Sequence, residues 1–203
     1  MEMLHDKYGK NNFILYGFSQ GGMGSAIAAK MFSNELRKKG IKVEKIILDS
    51  SISNVRKRVK QDAAKRRVPK FIVSVVTRVF NLRVGNKLDK LKLSYLLRRI
   101  PTLIIQTKSD KATTYGMLME EYNDIAQYKN IYLRVFEKGS HTRVYPEYKE
   151  EYTEAVGKFL KGELDENSFI VNNDENIEKI EQTKTDRGSL NKNEEKETGD
   201  YEN

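Results

Sequence analysis

The 203-residue chain contains no cysteine, no tryptophan and only two histidines, His5 and His141. Without cysteine, disulfides, thiolate metal sites and a cysteine nucleophile are all excluded. Two histidines are too few for a histidine-rich metal site, so we expect neither a metal nor another cofactor. No apolar run approaches the roughly 20 residues that span a bilayer, and the N-terminal sequence MEMLHDKYGK lacks the apolar segment of a signal peptide. We therefore expect a cytoplasmic protein, with association to a membrane surface as an alternative.

Charge divides the chain into two regions. From Glu163 to the C-terminus there are 13 acidic and 5 basic residues, a net charge of −8. The formal net charge of the whole chain is +8, so residues 1–162 carry a net charge of +16. The acidic part has few large apolar side chains with which to offset the entropy of ordering. The sequence therefore predicts one domain over residues 1–162 and a disordered acidic tail over residues 163–203.

Four short apolar segments alternate with helical patterns along the body of the chain. They span residues 13–16, 45–49, 101–106 and 131–136. The first has the β-branched and aromatic character of a buried strand, and helices are predicted over 113–128 and 146–161. This alternation predicts an α/β fold with a mainly parallel sheet of about four strands flanked by helices.

Residues 53–99 are too long and too interrupted for one crossover helix, and we interpret them as a basic helical cap insertion. Residues 55–99 contain 15 Lys or Arg against 2 Asp. Within them, the segment RRVPKFIVSVVTRVFNLR mixes basic and apolar residues. Its apolar positions either pack the cap onto the body, which we favour, or form a helix face for an anionic membrane surface. Nucleic acid binding is not expected, because the segment has few aromatic residues for stacking and no recognition motif.

The sequence LYGFSQGGMG, residues 15–24, places Ser19 between an apolar strand and a strong helix former. A serine in that position has two interpretations. It is either an N-cap of the helix or the nucleophile of a Gly-x-Ser-x-Gly elbow.

A nucleophilic serine needs a base within hydrogen-bond reach and a third group that orients the base. His141, just after the fourth strand, is the well-placed histidine. Asp110 follows the third strand and is the first candidate for the acid, whereas Asp49, at the end of the second strand, is the alternative acid. Catalytic groups in open α/β sheets gather at the carboxyl ends of strands, where all these residues are predicted to lie.

Taken in order, these motifs resemble the C-terminal half of an α/β-hydrolase, from the nucleophile elbow onward. The resemblance extends over residues 3–162. MLHDKYGKNN resembles the end of the helix before the nucleophile strand, and GFSQGG resembles the elbow itself. IILDSS resembles the next strand, PTLIIQTKSD the strand that delivers the acid, and VFEKGSH the strand and loop that deliver the histidine.

The resemblance implies a serine hydrolase that cleaves an ester, thioester or amide acyl bond of a small-molecule or lipid substrate. It makes Ser19 the nucleophile, His141 the base and then the acid, and Asp110 the orienting carboxylate. The backbone N–H of Gln20 would serve as one oxyanion donor. Gly21 and Gly22 would let the helix approach the strand closely.

One departure from the family pattern concerns the strands that normally precede the elbow. Only about 12 residues precede the first strand here, whereas in the family an early loop supplies the second oxyanion N–H. The chain is then a fragment, a minimal sheet, or a polypeptide that pairs with a partner chain supplying the missing strands, and its hydrolysis would be weak. The alternative function is an inactive hydrolase remnant or a membrane-surface binding module that uses the basic insertion.

Overall fold

A computed structural model of the chain describes residues 1–83, 85 and 87–164. Within these residues the sheet has four parallel strands in the order β1-β2-β3-β4. The strands are β1 Asn12–Phe18, β2 Lys42–Asp49, β3 Thr102–Thr107 and β4 Ile131–Phe136. The predicted fold class, a partial α/β arrangement with a mainly parallel sheet of about four strands, is confirmed.

Helices cover both faces of the sheet. They are α1 Glu2–Tyr8, α2 Ser19–Met31, α3 Ser33–Lys38, α4 Val55–Lys65, α5 Lys70–Arg83, α6 Leu93–Leu96, α7 Tyr115–Tyr122, α8 Val144–Glu147 and α9 Lys149–Lys161, with a 3₁₀ turn at Leu88–Lys90. The helix predicted over 113–128 ends at Tyr122, because Asn123 and Asp124 favour turns and tight i→i+3 bonds follow, such as Ile125 N to Tyr122 O.

Two apolar clusters lie on opposite faces of the sheet. One contains Ile46, Leu48 and Ile104 and packs against α2, α6 and α7, whereas the other contains Ile47, Leu103 and Ile105 and packs against α8 and α9. Every residue of β3 is buried. A central strand that is covered on both faces explains the continuous apolar run that the sequence shows there.

Strand β1 differs from its prediction as a buried strand. It lies at the edge of the sheet, and its side chains alternate between exposed and partly covered. Ile14, Tyr16 and Phe18 share one face and are each more than 40% exposed. Helix α9 covers this face of the sheet at the neighbouring strands. Among the described residues, no helix covers the same face at β1.

The predicted cap insertion contains two structurally different parts. Leu88, Leu93, Leu96 and Leu97 are buried in the core, so the second part belongs to the body of the domain. Helices α4 and α5 form the first part, and neither contains a buried residue. The prediction that the apolar residues of 66–83 pack the cap onto the body is therefore wrong for α5.

Most of the predicted acidic tail, residues 165–203, lies outside the described residues. Its second residue, Leu164, packs in the core beside α9.

Gly17 and Gly22 lie where the start of α2 packs closely against the end of β1 and the loop after β2. A Cβ on Gly17 would lie 2.5 Å from the carbonyl oxygen of Gly21, and a Cβ on Gly22 would lie 2.5 Å from Ser51 Oγ. A Cβ on Gly21 would meet no neighbour within 4 Å among the described residues. The expected close approach is therefore found at Gly22 but not at Gly21, and Gly17 is the second position that requires it.

This packing predicts an ordered series of alanine substitutions. Gly17→Ala places its methyl group against backbone that cannot move aside, so we expect it to lower the free energy of unfolding by about 3 kcal/mol, and Gly22→Ala by about 1 to 2 kcal/mol. Gly21→Ala is the matched control and leaves stability unchanged or slightly raised, since Ala is the better helix former. Urea unfolding measures all three. Equal stability of Gly17→Ala and Gly21→Ala would contradict the packing.

Candidate active site

Three of the predicted side chains meet at the carboxyl edge of the sheet. Ser19 follows β1, Asp110 follows β3 and His141 follows β4. His141 Nε2 lies 2.8 Å from Ser19 Oγ, and His141 Nδ1 lies 2.8 Å from Asp110 Oδ2. With the carboxylate accepting from Nδ1–H, Nε2 is free to accept the hydroxyl proton of Ser19.

Ser19 has a backbone conformation that side chains rarely adopt. Its φ is +50°, in the left-handed region, and it is the first residue of α2. The N-cap position is occupied by Phe18, with no side-chain cap, so the N-cap interpretation of Ser19 is wrong. Strain of this kind at a strand-to-helix turn presents the hydroxyl above the sheet edge, as a nucleophile elbow requires.

Asp110 is buried and receives hydrogen bonds on both carboxylate oxygens. Oδ1 accepts from the backbone N–H of Ala112 at 2.7 Å and of Thr113 at 3.0 Å, and Oδ2 accepts from the Thr113 hydroxyl at 2.8 Å as well as from His141. Burial raises the pKa of this carboxyl, but the bonds from His141, Thr113 and Ala112 outweigh it, and the pKa lies below its ordinary value. Asp110 is therefore held as an anion beside the imidazole.

Thr113 and Gln106 form hydrogen bonds around Asp110 and were not identified from the sequence. The Thr113 hydroxyl also lies 3.0 Å from the carbonyl oxygen of Ser50, so that it links the loops after β2 and β3. Gln106 Nε2 donates to the carbonyl oxygen of Thr113 at 2.8 Å and lies 3.4 Å from Asp110 Oδ2. The sequence offered one signal for Gln106, which is that a glutamine follows the apolar residues Leu103–Ile105 near the end of a buried strand.

The loop that carries His141 is fixed by contacts with the end of β3 and with the loop that follows it. The Gly139 carbonyl oxygen accepts from Thr107 Oγ1 at 3.1 Å and from Ser109 Oγ at 2.8 Å. Gly139 has φ +132°, and a Cβ there would lie 2.8 Å from Thr107 Cγ2. The position therefore requires glycine, and the close approach sets where the following histidine lies.

Asp49, the alternative acid, belongs to a different polar group. Its carboxylate accepts from Ser50 Oγ at 2.9 Å and from the Tyr152 hydroxyl at 2.8 Å, and Tyr152 in turn contacts the hydroxyl of Tyr16. Burial is the main cause that raises the pKa of Asp49, opposite in direction to Asp110. Among the described residues the structure pairs His141 with Asp110 rather than with Asp49.

Gln20 is the second residue of α2, and its side chain is exposed. The first four N–H groups of a helix have no acceptor within the helix, and the helix dipole adds partial positive charge at this end. The Gln20 N–H therefore belongs to a set of donors beside Ser19 Oγ that is suited to an anionic oxygen.

Helix α4 contacts the loop that carries Asp110. The Arg58 guanidinium donates to the carbonyl oxygen of Ala112, and Lys65 Nζ donates to that of Lys111 at 3.1 Å. These contacts place basic side chains next to the loop that carries Asp110. In the described part of the chain, no group of three His, Asp or Glu side chains is arranged to hold a metal ion.

No protein-family model and no curated protein matches this sequence. Solved structures do match its fold. An esterase of Pyrococcus furiosus, Pf2001, is 19% identical over 79% of this chain, with a TM-score of 0.56. A monoacylglycerol lipase of Paleococcus ferrophilus is 14% identical over 79% of this chain and 72% of its own length, with a TM-score of 0.51.

The chain spans 58% of the length of the Pyrococcus esterase. At these identities the likeness concerns the fold alone. The protein therefore has part of the α/β-hydrolase fold, beginning with the strand and helix that flank Ser19.

Proposed function

We propose that this protein is a serine hydrolase that cleaves an ester, thioester or amide acyl bond with Ser19, His141 and Asp110. The observation that carries the proposal is the continuous hydrogen-bonded series from Asp110 through His141 to Ser19, with both distances at 2.8 Å. The positive φ of Ser19 at a helix N-terminus supports the same assignment.

The proposed reaction has two steps. Ser19 Oγ attacks the acyl carbonyl carbon while its proton passes to His141 Nε2, and the tetrahedral intermediate collapses when the leaving alcohol, thiol or amine takes that proton. The Gln20 N–H donates to the oxyanion, and Asp110 stabilises the imidazolium without taking a proton. Water then attacks the acyl-serine with His141 as base, which releases the acid and restores the Ser19 hydroxyl.

The basic surroundings favour an acyl substrate with an anionic or lipid portion. Arg58 and Lys65 of helix α4 contact the loop that carries Asp110. Cations near a site raise the local concentration of anionic substrates and their rate of encounter.

The nucleophile assignment predicts labelling by a fluorophosphonate probe. We expect the wild-type chain to form a covalent adduct and Ser19→Ala to form none, because the probe reacts with an activated serine. Ser25→Ala, in the same helix, is the matched control and retains labelling. Intact-mass spectrometry measures the adduct, and labelling that survives Ser19→Ala would contradict the assignment.

The acid assignment predicts that asparagine has opposite effects on stability at positions 110 and 49. The depressed pKa of Asp110 stabilises the fold above the unfolded-state pKa, and this stability is lost as pH falls through the folded-state pKa. The raised pKa of Asp49 acts in the other direction, with a stabilising contribution at low pH that is lost as pH rises. At pH 7 we expect Asp110→Asn to cost about 1 to 3 kcal/mol of unfolding free energy and Asp49→Asn to be neutral or stabilising.

Urea unfolding at pH 7 and pH 3 measures this difference, and the cost of Asp110→Asn should shrink at pH 3. The labelling rate tests the catalytic side of the same assignment. Asp110→Asn should lower it by about 10³-fold or more through the wrong imidazole tautomer, whereas Asp49→Asn should leave it nearly unchanged. A larger loss of labelling rate in Asp49→Asn would reverse the assignment.

We further propose that a second polypeptide segment completes the sheet beside β1. Among the described residues no strand pairs with the outer edge of β1, and Ile14, Tyr16 and Phe18 leave apolar surface exposed next to it. In the described residues no strand precedes β1. The second oxyanion donor of the family, which follows an early strand, would come from the added segment.

This proposal predicts labelling without efficient turnover. Losing one oxyanion donor costs about 10²- to 10³-fold in rate, so we expect the 203-residue chain to hydrolyse a short-chain nitrophenyl ester slowly although Ser19 is labelled. Steady-state kinetics on the monomeric fraction, with Ser19→Ala as background, measures the rate. Rapid Ser19-dependent turnover by the monomer would contradict the need for an added segment.

The same experiments distinguish the proposed hydrolase from the alternative function, an inactive hydrolase remnant or a membrane-surface binding module. An inactive remnant would show no labelling of Ser19 above that of Ser25 and no Ser19-dependent hydrolysis.

A further inference from the structure

Helix α5, Lys70–Arg83, has its apolar side turned toward solvent. At 100° per residue, roughly half of its circumference is occupied by apolar side chains, interrupted only by Arg83. This outer face consists of Phe71, Ile72, Val75, Val76, Val79, Phe80 and Leu82, of which Phe71 is 70% exposed and Leu82 65% exposed. A surface helix of a globular protein normally turns such a face toward the core.

The opposite side of α5 faces the rest of the domain. Val73, Thr77 and Asn81 lie one helical turn apart and line a cavity of about 670 Å³ that α5 shares with α4. These three side chains are partly buried. The outer face is therefore not a core face that packs poorly, because a separate and more polar side makes the contact with α4.

The charge around the outer face has one sign. Between Asp62 and Asp89 the sequence contains seven Lys or Arg and no Asp or Glu. Arg66, Arg67 and Lys70 are exposed where the helix begins, and Arg78 is exposed beside the apolar face. An apolar helix face with a cationic border matches the interface of a bilayer that contains anionic lipid.

We propose that the outer face of α5 lies in the interfacial layer of an anionic membrane. The apolar side chains enter the boundary between headgroups and acyl chains while the flanking cations contact lipid phosphates. The helix would lie in the plane of the membrane, since none of the helices in the described residues is both long and apolar enough to cross one. This binding is independent of hydrolysis by Ser19.

The absence of tryptophan from the chain permits a site-specific test. Phe71→Trp and Phe80→Trp each place one fluorophore on the outer face of the full-length chain. Phe32→Trp is the matched control, since Phe32 is 55% exposed and lies outside the insertion. With vesicles of phosphatidylcholine and phosphatidylglycerol, we expect a blue-shifted emission that brominated lipid quenches for positions 71 and 80 but not for position 32.

A second comparison separates apolar insertion from attraction by charge alone. Val75→Ser with Val79→Ser should weaken vesicle binding by about tenfold or more, because two apolar side chains leave the interface. Phe32→Ser should leave the binding unchanged. Pure phosphatidylcholine vesicles should bind far less, and added salt should weaken binding to the anionic vesicles.

Three results would overturn the proposal. One is equal quenching at positions 71 and 32, and another is vesicle binding that the double serine variant retains in full. The third is a blue shift without vesicles that grows with protein concentration, which would mean that a second copy of the chain covers the outer face.

Discussion

The candidate site depends on the close approach of α2 to the end of β1 and to the loop after β2 at two glycines. Gly17 lies against the backbone of Gly21, and Gly22 lies against Ser51, so the chain must turn sharply between strand and helix. The turn leaves Ser19 with a positive φ and sets its hydroxyl above the sheet edge, beside the first turn of α2. Removing that contact would move Ser19 Oγ relative to both His141 and the helix N–H groups.

The remaining parts of the site are held by loops that are bonded to one another. Thr113 joins the loops after β2 and β3, and Gly139 is held by Thr107 and Ser109. Asp110 thereby keeps a low pKa although it is buried, because each oxygen has donors. Asp49 lies at the same edge of the sheet, but burial raises its pKa. Hydrogen bonds therefore favour the charged form of Asp110, whereas burial favours the neutral form of Asp49.

The sequence predicted the four strands, their mainly parallel arrangement and the three side chains that meet, because short apolar runs mark the strands and the carboxyl ends of parallel strands share one edge of the sheet. It did not predict the exposure of Ile14 and Tyr16, since the pattern of a strand does not reveal whether a neighbour covers it. Thr113 escaped notice because its role depends on a contact with Ser50, 63 residues away. For α5 the sequence left two alternatives open, packing onto the body and an outward face, and the favoured one was wrong because an amphipathic pattern alone does not say which side meets the body.

The central claim is that Ser19 becomes acylated. The most direct measurement is peptide mapping of the chain after brief reaction with a short-chain nitrophenyl ester and quenching in acid, where slow deacylation would preserve the intermediate. We expect an acyl group on the peptide that contains Ser19 and its loss in Ser19→Ala. An acyl group confined to lysine or tyrosine side chains, with Ser19 unmodified, would contradict it.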